Sequence, residues 1–175
     1  MRPVLILVVL VTVAALMPGL GAADPPHAGS RETSRQEVQA IEKVVRDFQV
    51  ALRTKNTRLL SSLMLDSNIV FASPVPPDIT QKARETVDVN FTGLPSGGFA
   101  RFAALIQQSK GIEEKFYNVK ITQDANLAVV MFDFEFVEGG AIKNRGMEVW
   151  QLMKTTAGWK ILSVVWTSKG PPRPQ

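Results

Sequence analysis

From Lys120 to Thr167 the chain runs through three consecutive strand patterns with almost no interruption. Residues 126–138 alternate strictly. Ala128, Val130, Phe132, Phe134 and Phe136 fall on one side, and Val129, Met131, Asp133, Glu135 and Val137 on the other. A period of two sends successive side chains to opposite faces of a sheet. Gly139-Gly140 is a hairpin signal. Ile142–Lys154 and Trp159–Thr167 continue the pattern around a turn at Thr155–Gly158, and Ile112–Thr122 precedes it with Tyr117, Val119 and Ile121 on one side. Such a run of hairpin-linked strands commits the C-terminal part to an antiparallel sheet. The apolar face of that sheet must be covered by something else in the chain.

The cover is found upstream. Ser34–Thr54 reads as a long helix, with Val38, Ile41, Val45, Phe48 and Leu52 in one stripe and Lys43, Arg46, Asp47 and Arg53 opposite. Ser34 followed by Glu37 has the spacing of a capping box. Asn56–Met64 predicts a short second helix, Asn68–Ala72 a short strand for the sheet edge, and Gly98–Ser109 another amphipathic helix. Between them, Ser73–Gly98 carries Pro74, Pro76, Pro77 and Pro95 around a polar piece, Ile79–Val87, that reads as one helical segment. Connections of this length commonly serve as lids or binding loops; a solvated insertion is the alternative. Helices first and antiparallel strands last make an α+β domain.

The N-terminus has a different character. Arg2, the apolar run Val4–Leu16, the break at Pro18-Gly19 and the small residues Gly21-Ala22-Ala23 form a secretory signal pattern, with cleavage before Asp24. The run falls short of the roughly 20 residues a membrane span needs. The expected organisation is a signal peptide at 1–23, a flexible leader at 24–33, the domain at 34–168 and a Pro-rich tail at 169–175. The expected location is secreted or periplasmic, with no stable membrane span after cleavage. Loss of Arg2 lowers the formal charge from +4 to +3. The basic residues are dispersed, which argues against a nucleic-acid partner. The chain has no cysteine, so disulfides, thiolate catalysis and cysteine-held metals are excluded.

A long amphipathic helix, a short one after it, and a final hairpin with Gly158-Trp159-Lys160-Ile161 and Ser163-Val164-Val165-Trp166 resemble the nuclear transport factor 2-like superfamily. The resemblance is narrowest to its bacterial SnoaL-like members, and it covers roughly Gln36 to Thr167. It implies a cone: a curved antiparallel sheet wrapped round the long N-terminal helix, with a pocket at one end. It also implies a range of roles, from isomerases, dehydratases and polyketide cyclases to non-enzymatic ligand-binding or dimerising domains. Many relatives carry a histidine on the last strand, where this chain has Val165 and Trp166. The only histidine, His27, lies in the leader.

Four polar groups are candidates for chemistry. Asp133 and Glu135 share a strand face. The phenylalanine face opposite them is the better core face, so an outward position for the two acids is favoured. Glu148, between Met147 and Val149, should be partly buried and in need of a partner, for which Arg145 or Lys160 is available. Tyr117, the only tyrosine, can donate from its hydroxyl. Trp150 and Trp166 are candidates to line a pocket for a flat apolar ligand, and Trp159 to pack over the sheet edge. No metal or cofactor is expected, since the domain lacks histidine, cysteine and clustered carboxylates at calcium-loop spacing.

The favoured reading is an exported domain that binds a small apolar or amphipathic molecule, or a partner, without turning it over. Its binding residues would be Tyr117, Glu148, Trp150 and Trp166. The alternative is an isomerase or dehydratase using Glu148 or Asp133 as base with Tyr117 as donor. A homodimer through the outer sheet face is the third expectation.

Overall fold

The helical stripe and the strand alternation meet in one core. A computed structural model describes residues 31–94 and 98–171. The signal segment, His27 and Ser96-Gly97 lie outside the described residues. The elements are α1 (Arg35–Arg53), α2 (Thr57–Leu63), β1 (Val70–Ala72), α3 (Pro77–Thr86), α4 (Gly98–Gln108), β2 (Ile112–Asp124), β3 (Leu127–Glu138), β4 (Ala141–Thr155) and β5 (Gly158–Trp166). The strand order is β1-β5-β4-β3-β2. β1 runs parallel to β5, and the other pairs are antiparallel. The fold is the expected α+β arrangement, with a curved, unclosed sheet and its short early strand at an edge.

Helix α1 begins where the sequence places it. Ser34 Oγ accepts from the Glu37 backbone N–H at 3.1 Å, a cap that typically contributes about 1 kcal/mol. The reciprocal half of the expected capping box does not form. The Ser34 N–H donates instead to Gln123 Oε1, and the Glu37 carboxylate receives Lys154 Nζ and Trp159 Nε1. Glu37 thus ties the start of α1 to β4 and β5, and Trp159 is buried against α1. Two residues of the expected leader also dock on β2. The Glu32 N–H donates to Asp124 Oδ1, and Thr33 Oγ1 donates to the Gln123 carbonyl.

Three register shifts bend the ladder, between Tyr117 and Lys120, Phe136 and Val137, and Gln151 and Leu152. A bulge inserts an unpaired residue and sharpens the local twist, which curves the sheet over α1. The first shift includes Asn118 at φ 54°. It breaks the single face expected for β2: Tyr117 lies on the outer face, while Val119 and Ile121 line a groove with Val38 and Val45 of α1. Ile41, Phe48 and Leu52 of α1 are fully buried with Phe132, Trp150, Leu152, Ile161 and Val164 of the sheet. Phe48 and Trp150 pack at a tilt with 4.7 Å between centroids, and Phe132 meets Trp150 edge-on at 5.1 Å. Each such side chain contributes on the order of 2 kcal/mol by leaving water.

Two features shape the open end of the cone. α4 buries Phe99 and Ile106 and leaves Phe102 partly buried beside Phe71 of β1, at 4.7 Å between centroids. Past the end of β5, the Thr167 and Lys169 N–H groups donate to the Met147 and Arg145 carbonyls of β4. The Thr167 carbonyl sits so close to Gly146 that a Cβ there would lie 2.2 Å from it. Within the long Ser73–Gly98 connection, α3 buries none of its residues. It is held by Arg84 Nε donating to the Phe91 carbonyl.

Candidate functional site

Strand parity and the bulges together decide which polar groups face inward. Glu148 on β4 pairs with Phe132 on one side and Trp166 on the other. It therefore shares the inner face with Trp150, two residues on. Glu114 on β2 pairs with Phe136 and sits between Ile112 and Phe116, both directed inward. The two carboxyl groups line one cavity of about 270 Å3 between α4 and the inner face of the sheet. Its apolar wall consists of Phe71, Phe102, Leu105, Phe134, Phe136 and Trp166, with Lys143 and Asn144 at the side.

Both acids are deeply buried, Glu114 at 5% exposure and Glu148 at 4%. Burial disfavours the charged form of a carboxyl. It raises Glu114 well above the usual carboxylate range, and the neighbouring Glu148 charge raises it further. Burial also pushes Glu148 up to about 8, against the opposing bond from Trp150. Trp150 Nε1–H donates to Glu148 Oε1 at 2.5 Å. The Glu114 carboxyl makes no hydrogen bond among the described residues. The pair is thus unequal: Glu148 is oriented by an indole N–H, while Glu114 is freely presented to the cavity. Near neutral pH Glu148 is predominantly protonated, although Trp150 supports its ionised form, and burial favours the neutral form of Glu114 as well.

The candidate residues from the sequence divide sharply. Glu148 and Trp166 are in the cavity. Trp150 lies behind it, fully buried, and acts on it only through Glu148. Tyr117 is not in the cavity. It lies 45% exposed on the outer face, where its hydroxyl donates to Glu135 Oε2 at 2.9 Å. Asp133 is outside as well, accepting from Asn118 Nδ2 at 2.7 Å. The outward placement favoured for Asp133 and Glu135 is the one adopted. The partners expected for Glu148 are both elsewhere. Arg145 stands opposite Glu135 beside the outer groove, and Lys160 Nζ donates to the Ser62 carbonyl. The group that bonds Glu148 is the Trp150 indole, and the carboxyl that shares its cavity is Glu114.

Glu114 escaped the sequence reading because Glu113-Glu114-Lys115 looks like a solvated charge run. The usable signal was Ile112 and Phe116 two residues to either side, which places Glu114 on their face. The apolar set Tyr117, Val119 and Ile121 masked it by suggesting the opposite parity for the inner face.

No family model matches this sequence, and no curated protein does. Solved structures do resemble the fold. An NTF2-like protein from Streptomyces avermitilis, named as a candidate dehydratase, superposes with a TM-score of 0.57 at 17% identity, covering 78% of this chain and 98% of its own. An NTF2-like protein of unknown function from Shewanella baltica gives 0.56 at 16%, covering 82% and 99%. One with a cystatin-like fold from Novosphingobium aromaticivorans gives 0.54 at 15%, covering 77% and 82%. At such identities the likeness speaks to architecture, and the architecture of this chain is the NTF2-like fold.

Proposed function

We propose that this chain is an exported protein whose inner cavity binds a small, largely apolar molecule through one polar group directed at Glu114 and Glu148. The carrying observation is the Glu114 carboxyl, which has no hydrogen-bond partner among the described residues and opens onto an aromatic-lined cavity. A ligand polar atom placed there would give this carboxyl the partner that the protein does not supply. A cavity of about 150 Å3 accepts a benzene ring, so 270 Å3 suits a ring with a short chain. Export rests on the signal pattern of residues 1–23 alone.

A proton-transfer enzyme is the second reading, supported by one observation: two carboxyls in a single cavity with different environments. In it Glu148 would be the base and Glu114 the proton donor. Tyr117 and Asp133, on the outer face, have no part. Native mass spectrometry of the protein from its own source tests the binding reading. Wild type should retain a small molecule that Leu105→Trp, which adds an indole to the cavity wall, loses. Equal occupancy in both proteins, or an empty wild type that also binds no small aromatic compound, refutes it.

A further inference from the structure

The charges around the cavity narrow the ligand further. α4 supplies Phe102 and Leu105 to the wall, β1 Phe71, β3 Phe134 and Phe136, and β5 Trp166. None of these can ionise. β2 and β4 supply Glu114 and Glu148, and the cation in the lining is Lys143, which is exposed. Arg101 lies in an adjoining cleft that shares Phe71, Phe102, Leu105 and Trp166. No lining cation is therefore buried with the acids, so an anionic ligand headgroup would find no countercharge there and would require both carboxyls to stay neutral. Five aromatic rings surround the same space, and ring faces attract cations most strongly when both are desolvated.

Resting on the cavity-binding reading above, we infer that the ligand is an organic cation: a protonated amine carried on an apolar skeleton about the size of a ring and a short chain. The ammonium meets Glu114 and Glu148, and the skeleton lies against Phe71, Phe102, Phe134, Phe136 and Trp166. The ammonium takes the place of a carboxyl proton, which passes to the buffer, so binding is linked to proton release. Below about pH 8, where Glu148 holds its proton, affinity should rise close to tenfold per pH unit, as for any one-proton exchange.

Three compounds with one skeleton separate this inference from the reading beneath it: 3-phenylpropylamine, 3-phenylpropanol and 3-phenylpropanoate, titrated calorimetrically into the full chain at pH 6, 7 and 8. The amine should bind at least tenfold more tightly than the alcohol at pH 7, and the carboxylate most weakly. Heats measured in buffers of different ionisation enthalpy should show proton release approaching one per amine bound. In the Glu114→Gln/Glu148→Gln double variant the preference for amine over alcohol should fall below threefold. Alcohol binding equal to or tighter than the amine overturns the cation assignment. It leaves the cavity reading standing if Leu105→Trp abolishes the alcohol binding. An amine preference unchanged in the double variant also overturns the assignment. Failure of all three compounds to bind overturns both.

Discussion

Replacing Glu148 with Gln isolates the energetic consequence of placing an acid in this cavity. The folded protein holds the Glu148 proton up to about pH 8, whereas the unfolded chain releases it near 4.5. Between those values the folded state binds more protons than the unfolded state, so stability falls as pH rises. The contribution is fully present below pH 4.5 and lost once pH has passed about 8. One such group gives a slope of about 1.4 kcal/mol per pH unit and a total of roughly 5 kcal/mol, a large part of the ~5–15 kcal/mol that holds a domain together. Glu114 acts in the same direction. Glu37 works oppositely, since its bonds to Lys154 and Trp159 lower its pKa; its contribution is lost only in acid, below the range used here. Glutamine at 148 keeps an oxygen for the Trp150 N–H and removes the ionisation. Urea unfolding followed by tryptophan fluorescence from pH 5 to 9 reads the effect. With a slope of ~1–3 kcal/mol per molar urea, a loss of about 3 kcal/mol moves the midpoint by about 1–3 M. Wild type should lose stability from pH 5 to 8. Glu148→Gln should match wild type within about 1 kcal/mol at pH 5 and exceed it at pH 9, and adding Glu114→Gln should flatten the profile. A wild-type midpoint that is constant or rises from pH 5 to 8 would refute the reasoning, as would a Glu148→Gln profile as steep as wild type.

Gly146→Ala should destabilise by about 1–3 kcal/mol, the range for overpacking a filled site, because its Cβ would lie 2.2 Å from the Thr167 carbonyl. Faster hydrogen exchange at the Thr167 and Lys169 amides would report the detachment of this segment from β4, and unchanged protection and melting would contradict it. Tyr117→Phe should change stability by less than about 0.5 kcal/mol, as for other exposed positions, and leave ligand binding untouched. A tenfold loss of affinity in that variant would return Tyr117 to the site.

The architecture was legible because it depends on short-range patterns. The stripe from Ile41 to Leu52 and the alternation of Ala128 through Phe136 each specify an element and its buried face without reference to the rest of the chain. The Gly-Gly turn and the Gly158-Trp159 hairpin then force the strands to run antiparallel. Glu148 was also legible, since an acid between Met147 and Val149 has to be accounted for wherever the strand goes. Its partner was not. Arg145 and Lys160 are near in sequence and opposite in charge, but the bulges and strand parity turn Arg145 outward, and Lys160 is held on α2. Glu114, 34 positions before Glu148, enters the same cavity because β3 lies between β2 and β4 and the curved sheet faces both acids inward. Tyr117, three residues further along β2 than Glu114, is turned outward. A strand's alternation states which residues share a face. Only the assembled sheet decides which face is inside, and that choice put two acids in the cavity and left the tyrosine in solvent.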